Sequence, residues 1–238
     1  MTLHRFFVQS AAIAADRAAL RGDQARQIAG VLRLLPGDRI VLLDRGDEVE
    51  VRLDRVTAAE VAGTVIARRP APAEPRVRLT LALPLLRGDR SEEVVEAVTQ
   101  LGVAKVVPFT SERSVVRDLS ATKRERWERI ARESAETARR GRVPEIATPV
   151  TWSAIFEHLE PPVLVAWEEE RDTQLVRAFA RAVPALSLVI GPEGGITAGE
   201  IASARARGAR TVSLGVRNLR SETAAIAAVA LVLALSER

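Results

Sequence analysis

The chain has 238 residues, 47% of them apolar, with no cysteine, two histidines and a net charge of +4 from 35 basic and 31 acidic side chains. That apolar share can build a sizeable core, so a disordered chain is excluded and one large domain, or one large and one small, is expected. The missing cysteines exclude disulfides, thiolate metal sites and cysteine nucleophiles. With only His4 and His158, histidine triads and histidine-rich metal centres all but fall away, so no metal is expected and acid–base work must rest on carboxylates, arginine, hydroxyls or water.

The N-terminal stretch "MTLHRFFVQSAAIAADRAAL" has no basic segment leading into a long apolar run. Neither a secretory signal nor a membrane anchor is expected, and the location expected is cytoplasmic. Residues 1–70 read as β-rich, because "DRIVLLD", "EVEVRLDRV" and "EVAGTVIARR" are short β-branched runs parted by polar or glycine-containing turns. One helix interrupts them: Asp23 can cap it, Ile28, Val31, Leu32 and Leu35 recur at helical spacing, and Pro36-Gly37 stops it. A small barrel with one helix is the simplest packing. The three prolines of "RRPAPAEPR", residues 68–76, predict a stiff linker and a domain boundary.

Beyond it, "VRLTLALPLL", "AKVVPFT", "PVLVAW", "LSLVIG" and "TVSLG" read as strands alternating with helical stretches, the pattern of an α/β domain over residues 76–238 with a mostly parallel sheet. Asp89–Glu92 and Thr197–Glu200 both have capping-box spacing, and Gly102 and Gly208 close the helices that follow. After Lys123, the positions Trp127, Ile130, Ala131, Ser134, Ala135 and Ala138 form one apolar face. The run from Ala224 to Leu235 is too short to span a bilayer, which takes roughly 20 residues, and reads as a buried helix.

Two loops carry chemistry. "VIGPEGGIT", residues 189–197, puts three glycines, Pro192 and Glu193 between a strand end and a helix start, where open α/β sheets place ligands. It is neither the dinucleotide fingerprint nor a phosphate loop. Glycine content alone leaves a ligand loop and a structural turn equally open. "SLGVRNLRSETAAIAA" repeats the logic, with Gly215, Arg217, Asn218 and Arg220 in the loop and Ser221 or Thr223 as the expected cap of the last helix. Two such loops on successive strands favour a ligand cleft.

Between Arg113 and Arg142 nine arginines and Lys123 face five acidic residues, so the excess charge is concentrated there. Much of this is the solvated face of a helix. Arg139, Arg140 and Arg142, clustered around Gly141 with no acidic neighbour until Glu145, suit phosphate contacts.

Taken in order, "HRFFV", "VLRLLPGD", "LGVAKVVPFTSERSV", "RWERIARESAETARRGRVPEI", "VIGPEGG" and "SLGVRNLRSETAA" resemble the RsmE-type family of ribosomal RNA methyltransferases over nearly the full chain. The resemblance implies S-adenosylmethionine-dependent methylation of uridine N3 in small-subunit 16S ribosomal RNA. It also implies an N-terminal PUA-like β-barrel that binds RNA, a C-terminal SPOUT α/β domain with a trefoil knot, and a homodimer. By the same resemblance Ile190, Gly191, Pro192, Gly194 and Gly195 form one wall of the methyl-donor pocket, Leu214, Gly215, Leu219 and Thr223 another, and Ala166, Trp167 and Glu168 a third. Arg5, Arg113, Arg139, Arg140 and Arg142 are the expected RNA contacts. Ala97, Gln100 and Thr137 depart from the family pattern.

For the reaction, Arg220 is expected to stabilise charge on the uracil carbonyl oxygens, with Glu222 or Glu193 accepting the proton or orienting the donor. Two other readings are a knotted ribose 2′-O methyltransferase and a non-catalytic RNA-binding assembly factor.

Overall fold

The computed structural model describes residues 3–178 and 183–237. It divides into two compact units, Met1–Glu74 with Ala135–Arg142, and Pro75–Ser134 with Val143–Arg238.

The first unit contains β1 (His4–Phe7), β2 (Ile13–Ala14), β3 (Arg17–Arg21), α1 (Asp23–Arg26), β4 (Arg39–Asp44), β5 (Asp47–Val56) and β6 (Glu60–Pro70). The strands pair in the order β1-β4-β5-β6-β3-β2, with β1 parallel to β4 and the rest antiparallel. Among the described residues this pairing is an open path. In β5 the side chains of Val49, Val51 and Leu53 are buried with Ile28, Ile40 and Leu42, while Arg52 and Asp54, on either side of Leu53, face outward, as the period of two requires. Strands β4 and β5 join through Arg45-Gly46, with φ of 52° and 98°, the signature of a type I′ turn.

Two expectations are corrected here. The helix expected up to Pro36 is only the four-residue α1 followed by a π turn, Gln27–Val31. The wider turn rotates later residues off the buried face, so Ile28 is buried but Val31 and Leu35 are 75% and 67% exposed. Asp23 is the first helical residue rather than the cap, which is Gly22, and it pairs with Arg26. The expected linker starts late as well. Arg68, Arg69 and Pro70 belong to β6, and Pro70 sits at its last rung, opposite Asp47, where a missing N–H interrupts no ladder.

The second unit contains β7 (Arg78–Pro84), α2 (Arg90–Leu101), β8 (Lys105–Thr110), most of α3 (Ala121–Thr137), β9 (Glu145–Ile146), β10 (Val150–Thr151), α4 (Trp152–Ile155), β11 (Val163–Ala166), α5 (Leu175–Ala178), β12 (Ala185–Ile190), α6 (Ala198–Ala206), β13 (Arg210–Val212) and α7 (Ser221–Ser236). Its sheet runs β10-β8-β7-β12-β11-β13, with β9 also on β8, and every pairing is parallel. Both faces are buried, as parallel sheets require. Leu79, Leu81 and Leu83 of β7 pack into a cluster with Val94 and Val98 of α2 and Val229 and Val232 of α7. Ala82, Val165 and Val189 face Trp152 of α4 and Ile201 of α6.

The capping box at α6 forms as expected: Thr197 Oγ1 accepts from the Glu200 backbone N–H while Glu200 accepts from that of Thr197. At α2 the box does not form. Asp89 makes no side-chain cap, the Glu92 N–H donating to its backbone carbonyl instead, and the Glu92 carboxylate is drawn to Arg126 at 2.8 Å. Neither Ser221 nor Thr223 caps α7, whose N-cap position is Arg220.

Candidate active site

The carboxyl ends of β11, β12 and β13 and the start of α2 surround one cavity of about 760 Å³. Its walls are Ala166–Glu169 and Arg171 after β11, Ile190–Gly195 after β12, Ser213–Ser221 and Ala224 after β13, and Arg90. The position is the carboxyl edge of a parallel sheet, where strand and helix ends leave room for a ligand. The volume lies in the range of small-molecule sites.

The glycines shape this space by what they lack. Gly195 has φ of 77°, and a Cβ there would stand 2.1 Å from Glu168 Oε1, so only glycine lets the second wall approach the first. A Cβ on Gly191 would meet the Ile196 side chain at 2.9 Å. The two glycine loops are tied together by Ser221 Oγ, which donates to the Gly191 carbonyl at 2.8 Å. Ser221, expected alongside Thr223 as a cap of α7, instead uses its hydroxyl to fix the distance between the walls.

The first wall, after β11, is held from beneath. Glu170, 8% exposed, accepts hydrogen bonds from Thr211 Oγ1 and from the backbone N–H groups of Asp172 and Thr173, and pairs with Arg205 at 3.4 Å. The Thr211 hydroxyl and then the Asp172 N–H hold its carboxyl below the ordinary carboxylate range, against the opposing effect of burial. The Arg205 guanidinium in turn lies 5.6 Å from the Trp167 ring centroid, in cation–π range.

The charged groups are placed unequally. Arg220 lines the cavity, exposed, and among the described residues its guanidinium has no ion-pair or hydrogen-bond partner. Glu193 also lines it; its Oε1 accepts from the Arg87 backbone N–H at 3.3 Å and lies 3.5 Å from Arg90 Nη1. Glu222 and Thr223 are corrections. Neither lines the cavity, because the first turn of α7 turns Ser221 and Ala224 inward instead. Glu222 approaches Arg90 Nε at 3.9 Å, and its Oε2 is buried without a hydrogen-bond partner. Arg90, which faces both carboxylates, was missed. It stands at the start of α2, in a capping-box stretch that spacing alone marks only as a helix start.

The other expected cofactor residues, Ala166, Trp167, Glu168, Ile190, Pro192, Gly194, Leu214, Gly215 and Leu219, all line the cavity. Of the expected RNA contacts, Arg113 is exposed and donates to the Gly194 carbonyl at 3.3 Å. In the first unit Arg139 and Arg142 are exposed. Arg140 is not: it is 1% exposed and bonded to Glu74. Arg5 is largely drawn in as well, donating to the Leu3 carbonyl and lying 3.6 Å from the buried Glu48. Among the described residues no group of His, Asp and Glu could hold a metal ion, and no helix is long and apolar enough to cross a membrane.

The model of the RNA methyltransferase domain family matches residues 73–233. The chain is 30% identical to the ribosomal RNA small subunit methyltransferase E of Bacillus subtilis, over 95% of this chain and 94% of that one. It is 33% identical to the Synechocystis protein of the same name, over 98% of this chain and 78% of that one. The crystal structure of the Neisseria gonorrhoeae ribosomal RNA small subunit methyltransferase E, bound to S-adenosyl methionine, superposes with a TM-score of 0.85 at 27% identity over 96% of each chain. The chain belongs to the RNA methyltransferase family, on the branch of the ribosomal RNA small subunit methyltransferase E proteins.

Proposed function

We propose that this chain transfers a methyl group from S-adenosylmethionine to N3 of a uridine in 16S ribosomal RNA. The observation that carries the reading is the cavity, walled by two glycine loops that Ser221 ties together, in a chain of this family. The backbones of Gly191–Gly195 and Gly215–Leu219, with Ala166–Glu168, would hold the methyl donor, and the lack of a Cβ at Gly195 is what lets the Glu168 loop close against them. Bound there, the donor supplies a methyl on a sulfonium, open to attack by a nucleophile.

Neutral uracil N3 carries a proton and is a poor nucleophile. Glu193, a carboxylate of the cavity wall held by Arg90, takes that proton, and Arg220, whose guanidinium has no partner among the described residues, stabilises the charge spreading onto the uracil oxygens. Arg90 holds Glu193 in place from one side and Glu222 from the other, so Glu222 acts through Arg90. Because N3 lies on the Watson–Crick edge, the target base must be unpaired or extruded.

The same reading takes residues 1–70 as a PUA-like RNA-binding barrel and residues 76–238 as a SPOUT domain with a trefoil knot, active as a homodimer in the cytoplasm. Support for the knot comes from the path after β13: from a sheet edge, through a bridge between Gln174 and Ser213, to an α7 packed under β7 and β12.

The test is incubation of the protein with methyl-labelled donor and 16S ribosomal RNA or small subunits, followed by nucleoside mass spectrometry. N3-methyluridine is expected. A methyl on ribose would overturn the reading in favour of a 2′-O enzyme, and no transfer or donor binding would favour a non-catalytic RNA-binding factor.

A further inference from the structure

The type I′ turn between β4 and β5 places Arg45 at a position where Asn or Asp is favoured, because φ is positive at both central residues. Arg139 has a left-handed backbone too, with φ of 59°. The two lie at one corner of the first unit. A Cβ on Gly141 would stand 2.9 Å from Gly46 Cα, one on Gly46 would stand 3.2 Å from Arg142 Nε, and the Ala71 N–H donates to the Gly46 carbonyl at 2.8 Å. Arg45, Arg139 and Arg142 are therefore each within two residues of the contact between Gly46 and Gly141.

The corner also contains acids, and each is already engaged. Asp44 and Asp47 pair with Arg68, Glu48 with Arg69 and Arg5, and Glu74 with Arg140. Arg45, Arg139 and Arg142 are left exposed, with no carboxylate on their guanidinium groups among the described residues. The turn needs a left-handed backbone at Arg45 but not an arginine there, and a cation at such a position that no carboxylate among the described residues neutralises marks a site kept for a ligand.

We propose that this corner is a binding site for the RNA phosphate backbone in which Arg45, from the β4–β5 turn, completes a cluster with Arg139 and Arg142. The proposal rests on the methyltransferase reading for its partner and adds Arg45 to the RNA contacts expected from the sequence. Arginine's planar fork suits phosphate oxygens, and contacts of this kind position RNA without reading its sequence.

Arg45→Asn separates a ligand role from a structural one, because Asn is the better residue for the turn. The melting temperature should hold or rise. Binding to 16S ribosomal RNA should weaken, the slope of log affinity against log salt should fall by about 1 per arginine removed, and methyl transfer should show a higher KM for RNA with kcat kept at saturating RNA. Arg45→Gly, equally suited to the turn, should behave the same way. Unchanged affinity and salt slope in both variants would overturn the site, as would a loss of affinity with the slope intact. If the wild-type protein methylates no RNA and binds none, the methyltransferase reading fails first and this site with it.

Discussion

Arg140 grips Glu74 with two parallel hydrogen bonds, Nε to Oε1 at 3.3 Å and Nη2 to Oε2 at 3.0 Å, and Glu74 Oε1 also accepts from the backbone N–H groups of Gly141 and Arg142. One carboxylate thus fastens the segment after α3 onto the first unit. Glu74→Ala would remove a carboxylate that pairs with a buried guanidinium and accepts two backbone N–H groups, and should destabilise the fold by about 3 kcal/mol, read from the denaturation midpoint. Arg140→Ala should likewise act on stability, in contrast to Arg142→Ala, which should weaken RNA binding while leaving the melting temperature nearly unchanged.

Arg220 is an exposed cation of the cavity wall at the N-cap of α7 and makes no side-chain capping bond there. Arg220→Ala should reduce the methyl-transfer rate by about a hundredfold, the typical effect of losing one transition-state donor, with little change in melting temperature. Full activity in a methylation assay would remove it from the mechanism.

Arg90 stands between Glu193 and Glu222. Arg90→Ala should lower kcat for methyl transfer while Arg90→Lys recovers part of it, because a charge at that point matters more than its shape. Donor binding measured by calorimetry should be nearly unaffected in both. Equal losses in the two variants would point to geometry rather than charge.

Gly195→Ala forces a left-handed backbone on alanine and drives its Cβ into Glu168. Affinity for S-adenosylmethionine should fall by at least about tenfold, since a displacement near one ångström at a positioned group has effects of that order or larger. Isothermal titration against wild type measures it. The Glu168→Ala change made in the same chain should restore part of the loss.

Glu170 gives a pH dependence. Its folded carboxyl is held below the ordinary range by Thr211 and Asp172, so it adds stability above its unfolded pKa, about 4.3, and loses that contribution as pH falls toward the lowered folded value. Glu170→Gln should melt earlier than wild type at neutral pH. The gap should close as pH drops below about 4, and a gap constant with pH would show that the loop is held by packing alone.

Much of the second unit was legible because its signals are local. β-branched runs alternating with helical spacing predicted the parallel strands, and Thr197 with Glu200 predicted a cap that forms within four residues. The same spacing at Asp89 failed, since Arg126 on α3 offers Glu92 a partner that no local pattern contains. The short β9 and β10, two residues each, are set by pairing with β8 and leave no periodicity to read.

The sequence by itself determined the kinds of chemistry available: no thiol, almost no imidazole, glycine at two strand ends, and a surplus of arginine in one stretch. Those are properties of residue type and near-neighbour spacing, which the chain carries before it folds. Tertiary structure decided which of those residues can act. Arg139 and Arg140 are adjacent in the chain, yet one faces solvent and the other is locked to a carboxylate 66 residues away. Likewise Glu193 reaches the cavity while Glu222 stands behind Arg90. Burial and charge pairing depend on distances across the fold, and those distances are fixed only when the strands and helices pack.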